Sequence, residues 1–225
     1  MEKMNIAIDG FSACGKSTTA RVVAAKLGFT YVDSGAMYRA VTYYLLQNNI
    51  SLTDITAIKE ALGRIEVRFE RDEAGNPITC LNGQPVEEEI RKMEVSANVS
   101  AVAAISEVRR AMVSLQQQMG AKEGVVMDGR DIGTVVFPEA ELKIFMTADP
   151  EIRARRRLKE LKSKGVEASF TDVKANVAER DHIDSTRDDS PLKKADDAII
   201  IDNSFMDFEE QVDKIITLAK ALIEG

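Results

Sequence analysis

Histidine and cysteine are nearly absent. A single histidine, His182, excludes a multi-histidine metal site and leaves a Ser-His-Asp triad only that residue to use. The two cysteines, Cys14 and Cys80, make neither a disulfide framework nor a zinc ribbon, and two free thiols in a reducing cytosol are the default expectation. No apolar run approaches the ~18 residues of a membrane span. The apolar stretch at the N-terminus closes on Asp9, which is wrong for a signal peptide. A cytoplasmic chain with no membrane partner is expected. Positive charge is in deficit as well: 30 Lys and Arg stand against 37 Asp and Glu, a net charge of -7. That balance argues against nucleic acid as a partner. A small anionic ligand stays open wherever arginines cluster. No internal repeat or low-complexity tract is visible.

What remains is ordinary globular material: 225 residues, 44% hydrophobic and 30% charged, enough for one domain or for a core with an insert. Residues 5–9 (NIAID) read as a buried strand running into a glycine loop. Residues 16–27 have helical composition and stop at Gly28. A strand at 29–32 leads to a helix from Ser34, its expected cap, to about 47, and a weaker helix covers about 54–64. The texture then changes. Residues 65–71 alternate, residues 74–77 form a turn, 78–81 is a short strand, and Asn82-Gly83 is a hairpin signal, so a small antiparallel meander is expected. Helices return over about 90–119. Strands are expected at 124–128, 142–147 and 198–202, and helices from 149 up to Gly165, over 172–183 and over 208–223. Strands alternating with helices predict an α/β fold whose mostly parallel sheet is covered on both faces.

Gly10, Phe11, Ser12, Ala13, Cys14, Gly15, Lys16 and Ser17 match G-x-x-x-x-G-K-[ST], between a predicted strand and a predicted helix. Such a loop wraps backbone N–H groups around phosphate oxygens at a helix N-terminus. Lys16 can reach the terminal phosphates and Ser17 can hold Mg²⁺. This implies triphosphate binding over residues 10–18, Thr18 included. It does not say whether the phosphoryl group goes to water or to another molecule.

A kinase that transfers to a second anion needs arginines besides the loop lysine. Asp33-Ser34-Gly35-Ala36-Met37-Tyr38-Arg39 follows a strand, and Ser34 and Tyr38 lie four apart on one helix face; alternatively Ser34 only caps and Tyr38 only packs. Asp128-Gly129-Arg130-Asp131 follows another strand and is either a site element or a solvated turn. Arg153, Arg156 and Arg157 share a helix face that repels itself unless a polyphosphate sits over it, or unless Glu151 and Glu160 neutralise it. Arg180, Asp184 and Arg187 share a face if their helix continues, suiting a phosphate and a sugar hydroxyl, or else form a surface ion pair. His182 lies off that face and reads as a bland surface residue.

In this order, the phosphate loop, DSGAMYR at 33–39, the meander, DGRDIGTVVFP at 128–138 and R-D-x-x-D-x-x-R at 180–187 resemble the bacterial cytidylate kinase family over essentially the whole chain. The resemblance implies a P-loop three-layer fold in one domain: a core of 1–64 and 91–225, a CMP-side β insert at about 65–90 and a lid at about 153–172. It implies Mg²⁺-dependent transfer of phosphate from ATP to CMP or dCMP. Few apolar patches are evident in the sequence, so a monomer is expected. Lys16, Arg130, Arg153 and Arg157 would act on the transferred group. Ser34, Tyr38, Arg39, Ser100, Arg109, Arg130, Asp131, Arg180, Asp184 and Arg187 would bind CMP. Ser100 and Arg109 carry a condition. Nine residues apart, they face opposite ways on an unbroken helix, so a break is expected between them, with Ser106 capping the second piece. The loop departs from the family, which usually has Pro, Gly and a small residue where this chain has Phe11, Ala13 and Cys14. If position 13 needs positive φ, alanine is strained there. Cys14 is either an oxidisable thiol guarding ATP binding or an inert buried one. Other acceptors, UMP or AMP, and a regulatory ATPase switch remain as alternatives.

Overall fold

The computed structural model describes residues 4–71, 77–122, 124–163 and 165–224. The chain falls into two compact units, Met1–Tyr31 with Met119–Gly225, and Val32–Gln118.

The first unit is built on strands β1 (Ile6–Gly10), β6 (Val125–Gly129), β7 (Leu142–Thr147) and β8 (Ile199–Asp202), with β2 (Thr30–Asp33) at the edge, in the order β2-β6-β1-β7-β8. β1 pairs in parallel with β6 and β7, and β7 pairs in parallel with β8. All five residues of β1 are buried, Ile6, Ala7 and Ile8 in the apolar core and Asp9 with them. Helices α1 (Lys16–Leu27), α6 (Pro150–Ser163), α7 (Phe170–Thr186) and α8 (Phe208–Glu224) flank this sheet. Val23 and Leu27 of α1 and Val212 and Ile215 of α8 bury against Ile6, Ile8, Ile144 and Ile201. Gly10 ends β1 at φ 147, where a Cβ would meet the Met146 carbonyl oxygen at 2.0 Å, so only glycine lets the chain leave the sheet here. α1 stops at Gly28 (φ 70) as expected.

The second unit holds α2 (Ser34–Gln47), α3 (Ile55–Leu62), the antiparallel sheet β3 (Val67–Arg71), β4 (Pro77–Leu81) and β5 (Gln84–Pro85), a 3-10 turn at Glu89–Arg91, and α4 (Met93–Ala103), followed by most of α5 (Ser106–Lys122). Asn82 (φ 50) and Gly83 (φ 77) make the expected tight hairpin. The expected turn at 74–77 lies outside the described residues apart from Pro77, which opens β4.

Three expectations need correction, and one element had none. Asp33, not Ser34, caps α2: its carboxylate accepts the Ala36 N–H at 2.8 Å, and Ser34 is already helical. α4 and α5 do break between Ser100 and Arg109, but Ile105 takes the cap position, its carbonyl accepting the Arg109 N–H at 3.0 Å, while Ser106 opens the helix. α7 ends at Thr186 and Arg187 has extended backbone (φ -61, ψ 145), so Arg180, Asp184 and Arg187 do not share one helical face. Finally, residues 132–136 after β6 form a π-helical turn with no counterpart in the reading of the sequence.

Candidate active site

The loop between β1 and α1 brings its own lysine home. Lys16 is buried and its Nζ donates to the Phe11 carbonyl at 2.6 Å, 3.7 Å from Cys14 Sγ. Burial and the nearby Arg130 guanidinium both pull its pKa below the ordinary lysine value. The Cys14 thiol is fully buried and donates to the same carbonyl at 3.0 Å, the setting of an inert buried thiol. Ala13 sits at φ 58, in the left-handed region, so the strain expected at this position is present. Asn203 Nδ2 donates to the Cys14 carbonyl at 2.8 Å and to Gln211 Oε1 at 2.6 Å, and Gln211 Nε2 donates to Thr19 Oγ1 at 2.9 Å. A polar column from beyond β8 thus props the loop.

Ser17 Oγ donates to Asp128 Oδ2 at 2.8 Å, and Tyr31 OH donates to Asp128 Oδ1 at 2.8 Å. A hydroxyl and a carboxylate oxygen side by side at the phosphate loop are the hard donors that Mg²⁺ takes, alongside substrate phosphates and water. The residues present fit that ion. Asp128 was read only as part of a charged turn. The signal that could have found it is a carboxylate closing a strand that pairs with the strand feeding the loop, Ile8 opposite Asp128.

Beside the loop lies an arginine–carboxylate network. Arg130 Nε donates to Asp184 Oδ2 at 2.7 Å, its Nη2 to Ser12 Oγ at 2.9 Å and its Nη1 to the Gly129 carbonyl at 3.3 Å. Arg187 Nη1 is 3.8 Å from Asp184 and Nη2 is 3.7 Å from Asp131, while Nε and Nη2 donate to the Ser190 carbonyl at 2.9 and 2.6 Å. That carbonyl, not a helical turn, aims Arg187. Burial pushes the Asp184 carboxyl up, but Arg130, Arg180 and Arg187 outweigh it and hold the pKa low. Burial likewise pulls Arg130 down, and Asp184 more than restores it.

Arg153, Arg156 and Arg157 of α6 part company. Arg153 turns inward: Nε donates to the Ala148 carbonyl at 3.0 Å, Nη1 to the Ser12 carbonyl at 3.1 Å and to Asp181, and the guanidinium lies 5.2 Å over the Phe11 ring. Arg156 donates to Asn203 Oδ1 at 2.9 Å and to its carbonyl at 2.8 Å. Arg157 pairs with Glu160 on its own helix at 2.7 Å.

Asp9 at the end of β1 accepts the Ile132 and Gly133 N–H groups at 2.8 and 2.7 Å, tying the π-helical turn to the sheet. Burial, with Asp131 adding to it, raises its pKa to about 7.

In the second unit, Arg39 donates to Asp33 Oδ2 at 3.0 Å and Arg91 lies 3.8 Å from the same carboxylate. Burial raises Asp33, but the two guanidiniums win and its pKa is lowered. Ser34, Tyr38, Ser100 and Arg109 are all buried; Arg109 lies 5.5 Å over the Tyr38 ring and donates to the Ala103 carbonyl at 3.1 Å. The break between α4 and α5 is what places that carbonyl under Arg109. His182 is exposed, as expected. Asn203 and Arg91 lie outside the motifs, and Asp128 and Asp181 lie inside them without a role of their own.

Residues 6–221 match the family model described as cytidylate kinase. The chain is 56% identical over 215 residues to a cytidylate kinase of Bacteroides fragilis, covering 94% of each chain. It is 53% identical over 229 residues to one of Phocaeicola vulgatus, covering 100% of both. Among solved structures, a gluconokinase of Sinorhizobium meliloti superposes with a TM-score of 0.52 at 12% identity, over 99% of this chain and 95% of that one, a likeness of fold. With relatives more than half identical along its full length, the chain belongs to the cytidylate kinase family.

Proposed function

We propose that this enzyme transfers the γ-phosphoryl group of ATP to CMP, and to dCMP, giving the diphosphates. The donor triphosphate lies in the loop 10–18, held by its backbone N–H groups and by Lys16, which leaves the Phe11 carbonyl for phosphate oxygen. Ser17 and Asp128 would hold Mg²⁺, which when bound would supply positive charge to the phosphate oxygens. Arg130, Arg180 and Arg187 take the phosphate of CMP, Asp184 its ribose, and Asp131 accepts from the exocyclic amine of cytosine. In the second unit, Ser34, Tyr38, Arg39, Ser100 and Arg109 are further CMP-binding residues, and the insert at 65–90 serves the same nucleotide.

No general base is required, because the attacking phosphate oxygen is already ionised; a chain with one exposed histidine can do this chemistry. Lys16, Arg130, Arg153 and Arg157 stabilise charge as it spreads over the transferred group. The lid, residues 153–172, hinges at Arg153, whose hold on the Ser12 carbonyl keeps its root in place. A monomer in a reducing compartment completes the proposal, in keeping with two buried free thiols.

One observation carries this reading: Arg130 touches the donor loop at Ser12 and, through Asp184, the Arg187 cluster. ADP release is to be measured with CMP, dCMP, UMP and AMP as acceptors. Turnover that is highest with CMP or dCMP supports the proposal. Equal turnover with UMP removes Asp131 as reader of the amine, and turnover without any acceptor favours a nucleotide switch.

A further inference from the structure

Ser12 is held at every polar group it owns. Its N–H donates to Asp181 Oδ1 at 3.0 Å, its carbonyl accepts from Arg153 Nη1 at 3.1 Å, and its hydroxyl accepts from Arg130 Nη2 at 2.9 Å. The three side chains come from α7, from α6 and from the turn after β6. Asp181 in turn pairs with Arg153, and Arg130 pairs with Asp184. Bonds to charged partners are about twice as strong as neutral ones. The shoulder of the phosphate loop is therefore fixed by charged side chains.

Asp181 and Asp184 lie three residues apart on α7, so their carboxylates leave neighbouring positions of one face. One grips the donor loop at Ser12, the other grips Arg130 and faces Arg187. A displacement of α7 moves both. An anion arriving at Arg130 and Arg187 competes with Asp184 for those guanidiniums. Whatever Asp184 yields is felt at Ser12, through the hydroxyl by way of Arg130 and through the N–H by way of α7.

We infer that Asp181 is a positioning residue that couples the two nucleotide sites: it fastens the phosphate loop to the helix that carries the acceptor cluster, so that filling either site sets the other. This rests on the acceptor placement proposed above. Linkage makes the effect reciprocal, CMP tightening ATP by the same factor as ATP tightens CMP. The rival account is that Asp181 only neutralises the buried Arg153.

Calorimetric titration separates the two. CMP and the magnesium complex of a non-hydrolysable ATP analogue are each titrated alone and with the other saturating, on the native chain, D181N, D181E and R187A. In the native chain each nucleotide tightens the other. In D181N and D181E that factor falls at least threefold toward one, while CMP measured alone changes no more than twofold. D181E keeps a negative charge beside Arg153 and carries its carboxylate one methylene away from the Ser12 N–H, so it decides the matter alone if D181N fails to fold. Coupling that survives in D181E, or in a folded D181N whatever its melting temperature, overturns the inference, as does a native chain with no coupling. R187A reports on the acceptor placement itself. Undiminished CMP binding there overturns both the placement and the coupling that rests on it; lost CMP binding there with coupling intact in the other variants overturns the coupling only.

Discussion

Truncating Arg187 to alanine removes a guanidinium whose side chain is only 3% exposed and which faces two carboxylates and a carbonyl. Two costs follow, and they read out differently. The first falls on the fold. Asp131 loses a cation at 3.7 Å and the Ser190 carbonyl loses both its donors, a loss of roughly 1–3 kcal/mol for such a buried group. Asp184 keeps Arg130 at 2.7 Å, so the network does not collapse. At 225 residues a loss of that size lowers the melting temperature by about 2–10 °C. The second cost falls on the acceptor. A charge-assisted bond to phosphate is worth about 1.5–3 kcal/mol, which at about 1.4 kcal/mol per decade weakens CMP by roughly 10–100-fold. The donor loop is held by Arg130, Arg153 and Asp181. Steady-state ADP release, with CMP varied at saturating ATP and then the reverse, is expected to show the KM for CMP rising by that factor and the KM for ATP staying within about threefold. A rise of equal size in both constants would refute the assignment and put Arg187 on the donor side.

Lys16→Met keeps the shape of a buried side chain and removes its charge, so kcat should fall by about 10²–10³ or more while the melting temperature holds; near-normal turnover in a folded variant would contradict Lys16's role. Ala13→Gly relieves about 1–2 kcal/mol of left-handed strain but adds about 0.4–1 kcal/mol of unfolded-chain entropy and gives up part of a methyl packed against Leu161 and Val173. The balance is zero to about 1 kcal/mol in favour of glycine, and a clear drop in melting temperature would mean the packing outweighs the strain. Asp9, raised to about 7, keeps in the folded state a proton that the unfolded chain releases near pH 4. Its contribution therefore falls as pH rises from about 4 to 7, by up to about 4 kcal/mol. Asp9→Asn should flatten the dependence of melting temperature on pH between 5 and 8, and an unchanged slope would show that Asp9 does not titrate there.

Local signals in the sequence were good guides wherever the structure they specify is local. A short apolar strand, a glycine at the sheet exit and an Asn-Gly pair each constrain the backbone within a turn or two, and β1, the phosphate loop and the hairpin follow; the break before α5 follows instead from the resemblance, which asks Ser100 and Arg109 to face one ligand. Side chains that meet across the fold leave no such trace. Ser17 and Asp128 are 111 positions apart, Ser12 and Asp181 169, and Cys14 and Asn203 189, so no spacing announces them. The arginines of α6 show the limit from the other side. Arg153, Arg156 and Arg157 are spaced to share one face, yet one goes to the loop, one to Asn203 and one to Glu160, because the outcome depends on which acceptor lies at the end of each side chain. Arg187 is the same case: nothing in its neighbours marks the end of α7, and the Ser190 carbonyl that redirects it belongs to a loop with no periodicity to read.

A chain of net charge -7 gathers Lys16, Arg130, Arg153 and Arg187 around one loop, and burial alone would make such a group of cations repel and shed protons, as the depressed pKa of Lys16 shows. The guanidiniums escape this because each is paired within the chain: Arg130 with Asp184, Arg153 with Asp181, Arg187 with Asp131 and Asp184. On the proposed acceptor placement, phosphate binds by replacing a carboxylate, not by neutralising a bare cation. The net gain is the difference between two ion pairs, which keeps affinity moderate, and each exchange frees a carboxylate that must find a new donor. For Asp184 the donor is the ribose hydroxyl in the proposed acceptor site, so the sugar and the phosphate of one nucleotide satisfy the two halves of an ion pair that the empty enzyme had satisfied internally. On that account, inorganic phosphate or ribose alone should bind far more weakly than the intact nucleotide, because each frees one partner of the pair and leaves it unmatched.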